Sequence, residues 1–169
     1  MSLPLFVTVV TFWPMLLEAL LSRRNERALR AAGAIEPPGD VYAAMQMAYP
    51  ASFLAMILEG VVRAPRFGRL FVAGLLVFVV GKALKYWAIE ALGPRWSFRV
   101  LILRHEPLVT HGPYRWMRHP NYVGVAGELA GAALMAHAAV TGPVSMVIFG
   151  RLMLARIRVE ERALEIRAR

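Results

Sequence analysis

Cysteine is missing from the sequence altogether, which excludes disulfides, thiolate catalysis, zinc–thiolate centres and palmitoylation. Acidic residues are scarce: eleven Asp and Glu stand against twenty Lys and Arg, for a formal net charge of +9 over 169 residues. Charged residues make up only 18% of the chain, whereas 58% are hydrophobic and fall into long runs. A soluble core has no need of such runs, and little polar mass is left to carry a water-exposed basic face for nucleic acid. The basic residues fall mostly between the apolar runs, as in the cytoplasmic flanks of membrane helices. Repeats and low-complexity segments are absent, and so is a Gly-rich dinucleotide loop following a strand. The opening MSLPLFVTVVTFW has neither a basic n-region nor a small-residue cleavage site, so it reads as a retained first span. The expectation is an all-α integral membrane protein with no nucleic-acid partner and no metal.

Hydropathy predicts five transmembrane helices in one polytopic domain, at about residues 3–21, 41–62, 70–92, 122–140 and 144–157. Pro-Pro-Gly at 37–39 marks a turn, and Thr-Gly-Pro at 141–143 joins the last two runs. Segments 22–40, 93–121 and the tail from Arg151 carry four, five and six Arg, against three in the 63–69 link. That asymmetry orients the N-terminus outside and the long loop and tail in the cytoplasm. Lys82 and Lys85 are expected to snorkel to one interface, beside Tyr86 and Trp87.

Ionisable residues at membrane depth are candidates for function. Glu128 lies well inside the fourth run. It either pairs with a Lys or Arg of a neighbouring helix for structure, or acts as a base towards a hydroxyl substrate. Gly127 and Gly131 flank it at GxxxG spacing, which permits close approach of a helix, the blander reading, or of a ligand. Glu18, Gln46 and Glu59 suit helix-to-helix hydrogen bonds, and His137 suits a packed or interfacial position. In the tail, Glu160 and Glu161 read on their own as a charged helix face, with Arg156 and Glu160 an i,i+4 pair.

The densest polar chemistry is HGPYRWMRHPNYVG at 111–124. Pro120 can open the fourth helix, whose N-terminal amides would attract a carboxylate or hydroxyl group. Tyr114, Trp116 and Tyr122 could stack on a planar ring, and Arg118 and His119 could hold polar atoms. The same residues could equally be interfacial anchors. Leu108-Val109, Gly112-Pro113-Tyr114-Arg115 and Arg118-His119-Pro120-Asn121-Tyr122-Val123-Gly124 nevertheless occur in a particular order. ALGPRWSFRV precedes them, and Arg156-Ile157, Glu160-Glu161 and Leu164 follow. Together these closely resemble the signature of the isoprenylcysteine carboxyl methyltransferase family and its phospholipid-methyltransferase relatives, across about residues 91–164. His105 stands three residues before Leu108, where family members often have a His two before, and a Phe-Gly-x-x-Tyr element after the Glu-Glu pair is absent. The absence of that element implies a more open cofactor site or a different substrate.

The resemblance implies S-adenosylmethionine as methyl donor and S-adenosylhomocysteine as product. Residues 93–122 and 151–169, a cytosolic loop and C-terminal helix, would form the cofactor site. By the same resemblance, cofactor contacts fall to Leu108, Val109, Gly112, Tyr114, His119, Pro120 and Tyr122, with Glu160 and Glu161. A carboxylate acceptor arrives ionised and needs an Arg to orient it, for which Arg156 and Arg151 are candidates. A phenol or enol needs a base, for which Glu128 is the candidate. The acceptor would carry a prenyl or acyl tail and enter sideways from the membrane lipids. Glu128 after Asn-Tyr-Val resembles shorter microbial members that methylate alkylpyrone- or alkylresorcinol-type lipids. The rival readings are phospholipid or amine N-methylation, a related sterol-reductase chemistry, and a non-enzymatic scaffold whose basic loops bind anionic lipids.

Overall fold

A computed structural model describes residues 2–64, 67–103 and 106–168. Among the described residues, five α-helices occur in the order α1 Leu3–Ala31, α2 Tyr42–Arg63, α3 Arg69–Leu92, α4 Pro120–Met135 and α5 Thr141–Ala168. Short 3₁₀ turns lie at Gly93–Arg95 and Gly112–Arg115. The protein is an all-α membrane protein: α1, α2 and the segment Arg69–Arg95 are each long and apolar enough to cross a bilayer. At 16 residues, α4 is about 24 Å long, shorter than the roughly 30 Å hydrocarbon core.

Helix α1 runs ten residues beyond the predicted end of its apolar run, to Ala31. Its polar extension, SRRNERALRA, is built mostly from good helix formers. It stops where Gly33 takes φ +83° and Ala34 N–H donates to Leu29 O at 2.9 Å, a glycine-terminated helix end. Helix α4 stops at Met135, short of the expected 140, because His137 takes φ +55° in the turn to α5. Glu59 of α2 then accepts from the Thr141 amide and hydroxyl, each at 2.7 Å, capping the start of α5. The charged tail continues α5 as one helix to Ala168.

Helices α3 and α4 are the most closely packed pair, and glycines decide how closely. A Cβ on Gly131 would stand 2.5 Å from the Phe78 amide, and one on Gly81 would stand 2.8 Å from Gly124 O. Gly74 and Gly81 on α3 thus meet Gly131 and Gly124 on α4 backbone to backbone, as small residues allow between membrane helices. Around this seam Phe53, Met56, Phe78, Leu129, Met135 and Phe149 form the buried core. Outside it, Leu5, Val9, Leu58, Leu76, Val80 and Val147 are exposed large apolar side chains, the surface expected of a lipid-facing bundle.

One end of the bundle is laced together by the three Arg-rich segments. Asn25 Nδ2 donates to Trp96 O at 2.8 Å, and Phe98 N–H donates to Ser22 Oγ at 2.8 Å. Ile35 and Ile102 form an isolated antiparallel bridge. Arg99 pairs with Glu36 at 2.6 Å. The loop after α1 and the loop after α3 are therefore folded onto each other over the bundle end where α4 starts.

Candidate active site

His119 is the residue before α4 and Pro120 its first, so the missing proline N–H costs no helical hydrogen bond. The first turn then directs Tyr122 and His119 towards α5. Tyr122 Oη donates to Glu160 Oε2 at 3.1 Å, and His119 Nε2 lies 3.2 Å from Glu161 Oε1. The His119 and Tyr122 rings are 5.7 Å apart. At Tyr114, in the preceding 3₁₀ turn, burial and then the charge of Glu160 push the phenol above the usual tyrosine range. Arg118 is exposed and only 3.9 Å from Glu161. Four of the residues singled out in the sequence, His119, Tyr122, Glu160 and Glu161, thus meet where α4 starts at the fully buried Pro120.

Not every candidate joins them. Leu108 is exposed and Val109 half-buried. Gly112, at φ +60°, packs against the end of α3, where an added Cβ would meet Ala91 Cβ at 2.9 Å. Arg151 is exposed on α5. His105 lies outside the described residues. Arg156 is buried, and the expected i,i+4 partner Glu160 is not what it faces. Its guanidinium donates to Phe98 O and lies 3.7 Å from Asp40 Oδ1, because α5 turns that side chain towards the interlocked loops.

Beside this cluster is a cavity of about 280 Å³. Its walls come from α1 (Met15, Ala19, Ser22, Arg23, Glu26), α2 (Tyr42, Met45, Gln46, Tyr49, Pro50), the loop Trp96–Phe98 and α5 (Phe149, Arg156). Asn121, Tyr122 and Val125 of α4 and Lys85 of α3 complete it. Asn121 Oδ1 is buried with no hydrogen-bond partner, so polar capacity is left open next to apolar walls. Tyr122 belongs to both features, with its ring in the cavity wall and its hydroxyl on Glu160.

Glu128 is 1% exposed and does not line the cavity. The close α3–α4 seam brings it against Lys82, at 2.8 Å from Oε2, and Lys85, at 3.3 Å from Oε1. Both lysines also hold Glu18 of α1, at 3.0 and 2.5 Å. The expected snorkelling is thereby corrected: Lys85 is 2% exposed, drawn inward by two carboxylates that need cations at that depth. Tyr49 Oη donates to Glu128 Oε2 at 2.5 Å. Tyr49, Glu18 as partner of the lysines, and Asp40 were not identified from sequence. The signal for the lysines was available, since 82 and 85 share a helix face at i,i+3 spacing, as Glu128 requires. Nothing in sequence alone joined Tyr49 to a residue 79 positions away.

Comparison with known proteins decides the family. The model of the isoprenylcysteine carboxyl methyltransferase (ICMT) family matches residues 73–166, more than half of the chain. The chain belongs to the ICMT family. An uncharacterized Bacillus subtilis protein, YpbQ, is 32% identical over 88% of this chain and 88% of its own length. A Haemophilus influenzae protein, also uncharacterized, is 28% identical over 85% of the chain and 84% of its own. Protein-S-isoprenylcysteine O-methyltransferase A of Arabidopsis thaliana is 34% identical over 52% of this chain and 46% of its own. No solved structure is significantly similar to the chain. ICMT-family membership makes the protein a membrane methyltransferase, and its matched region runs from α3 through the Glu160–Glu161 pair.

Proposed function

We propose that the protein transfers a methyl group from S-adenosylmethionine to an oxygen of a lipophilic acceptor at the membrane interface, the oxygen being a carboxylate or a phenol or enol hydroxyl. The observation that carries this reading is Tyr122, shared between the His119–Glu160–Glu161 cluster and the apolar cavity. A polar donor and a greasy acceptor need adjoining sites, and Tyr122 touches both the carboxylate cluster and the apolar cavity. The donor set fits S-adenosylmethionine: the Glu160 and Glu161 carboxylates suit hydroxyls or a cationic centre, and the Tyr114, His119 and Tyr122 rings offer faces to a planar base. Leu108, Val109, Gly112 and Pro120 would complete that side. When bound, S-adenosylmethionine supplies a methyl group already activated by its sulfonium.

The protein then has to orient the acceptor and exclude water. Arg156 lies in the cavity wall, held by Phe98 O and Asp40, and it would hold an ionised or developing oxyanion. Arg151, being exposed, would meet anionic headgroups instead. The Trp96–Phe98 loop, tied to α1, forms one wall of the cavity. The Arg count favours the cytoplasmic side for this end and an outside N-terminus.

S-adenosylhomocysteine should bind the purified protein, with large losses for Tyr122→Ala and Glu160→Ala. No binding by the intact protein would sink the reading. A panel of prenylcysteine, alkylresorcinol and phosphatidylethanolamine then identifies the acceptor, and transfer to phosphatidylethanolamine alone would replace O- by N-methylation.

A further inference from the structure

Glu128 does not line the cavity, yet it touches two residues that do, Tyr49 and Lys85. Tyr49 lines the cavity and donates its Oη hydrogen to Glu128 Oε2 at 2.5 Å. Lys85, whose Nζ lies over the Tyr49 ring at 5.4 Å, lines the same cavity. Edge-to-face packing on Phe53, with centroids 4.9 Å apart, and contact with Phe149 at 5.1 Å fix the phenol ring. The charged groups behind it are Glu18, Glu128, Lys82 and Lys85, two of each sign.

We propose that Tyr49 is the catalytic group that receives the acceptor's hydroxyl proton, with Glu128 as the positioning carboxylate behind it, and that the acceptor is a lipid bearing a phenol or enol. The step balances. The acceptor O–H bond breaks as its proton passes to Tyr49 Oη, while the original Tyr49 proton passes to Glu128 Oε2. Tyr49 is regenerated, Glu128 becomes a neutral acid, and the acceptor is left as an oxyanion. Neutralising one of two carboxylates leaves the four-charge group with one uncompensated ammonium, and Lys85 places that charge at the cavity wall beside the oxyanion. After product leaves, the proton returns through Tyr49 to water entering the cavity. A carboxylate acceptor arrives ionised and would leave this pathway idle.

The inference rests on O-methylation as proposed above, and the test separates the two. The probe is a long-chain alkyl nitrophenol, whose ionised form is coloured, titrated with full-length protein and with Tyr49→Phe, which keeps the ring and its packing. The intact protein should bind the probe as phenolate at pH values where the free probe is neutral. Tyr49→Phe should bind it as neutral phenol, while retaining S-adenosylhomocysteine binding. Methyl transfer to an alkylresorcinol should fall by on the order of 10²-fold in kcat with little change in KM. Equal phenolate signal in Tyr49→Phe, or no transfer to any phenol by the intact protein, overturns the Tyr49 assignment. Loss of S-adenosylhomocysteine binding in the intact protein would instead overturn the methyl-donor reading.

Discussion

Two pairs of carboxylates define this molecule, and they live under opposite conditions. Glu18 and Glu128 are 3% and 1% exposed, and two lysines share them so that the group is neutral as a whole. Glu160 and Glu161 are 33% and 40% exposed at their side chains, and among the described residues their contacts are Tyr122 and His119, with Arg118 at the edge. Depth explains the difference: a carboxylate among helices in hydrocarbon is tolerated only with cations in contact, whereas one at the bundle end keeps water as a partner. The charge of the first pair is therefore already balanced by the fold, and the second has capacity left for a ligand.

The comparison breaks most visibly through the lysines. Lys85→Ala leaves Glu18 with a single cation in a buried site, and a loss of about 3–5 kcal/mol is expected. Denaturant unfolding in detergent measures it. Pairing Lys85→Leu with Glu18→Leu should cost clearly less than the sum of the single changes; additive losses would mean that the contacts carry no coupling. Next in size is Gly131→Val, whose Cβ would fall 2.5 Å from the Phe78 backbone amide. Separation of α3 from α4 should cost about 1–3 kcal/mol and should also draw Lys82 and Lys85 away from Glu128. Glu160→Gln should do the reverse of both. Stability should stay within about 0.5 kcal/mol, while S-adenosylhomocysteine affinity falls at least tenfold, or about 1.4 kcal/mol. A Glu160→Gln variant that unfolds early but binds normally would erase the distinction between the pairs.

The sequence made the second pair far more legible than the first. Gly112-Pro113-Tyr114, His119-Pro120, Tyr122 and Glu160-Glu161 are local patterns, and their order along the chain carries the family. Glu128 drew attention because charge is rare in an apolar run. Its partners did not, because Lys82 and Lys85 sit where an interface anchor is also expected, and only the glycine-to-glycine approach of α3 and α4 decides which way they point. The extension of α1 beyond Leu21 could have been drawn from its helix-forming residues, had hydropathy not been allowed to set the boundary. Tyr49 was out of reach, since a tyrosine beside Pro50 in an apolar run has no pattern that names a partner on another helix.

The smallest effect tests the bundle end on which the candidate cofactor cluster depends. Glu36 joins the two loops through Arg30 and Arg99, each at 2.6 Å. Partial burial pushes its carboxyl up, but the two guanidinium groups more than offset this and hold it below the ordinary glutamate value. A carboxyl with a lowered folded-state value contributes stability above its unfolded value, about pH 4.3, and loses it as pH falls through the folded one. Because Arg30 is 49% and Arg99 34% exposed, solvent screening limits the contribution to about 0.2–1 kcal/mol. Glu36→Gln should therefore remove that much at neutral pH and nothing once the carboxyl is protonated, so the unfolding curves of the two proteins should merge in acid. A gap that persisted in acid would assign the effect of Glu36 to packing, and leave the Ile35–Ile102 bridge and the Asn25 and Ser22 hydrogen bonds as what holds the loops over the cavity.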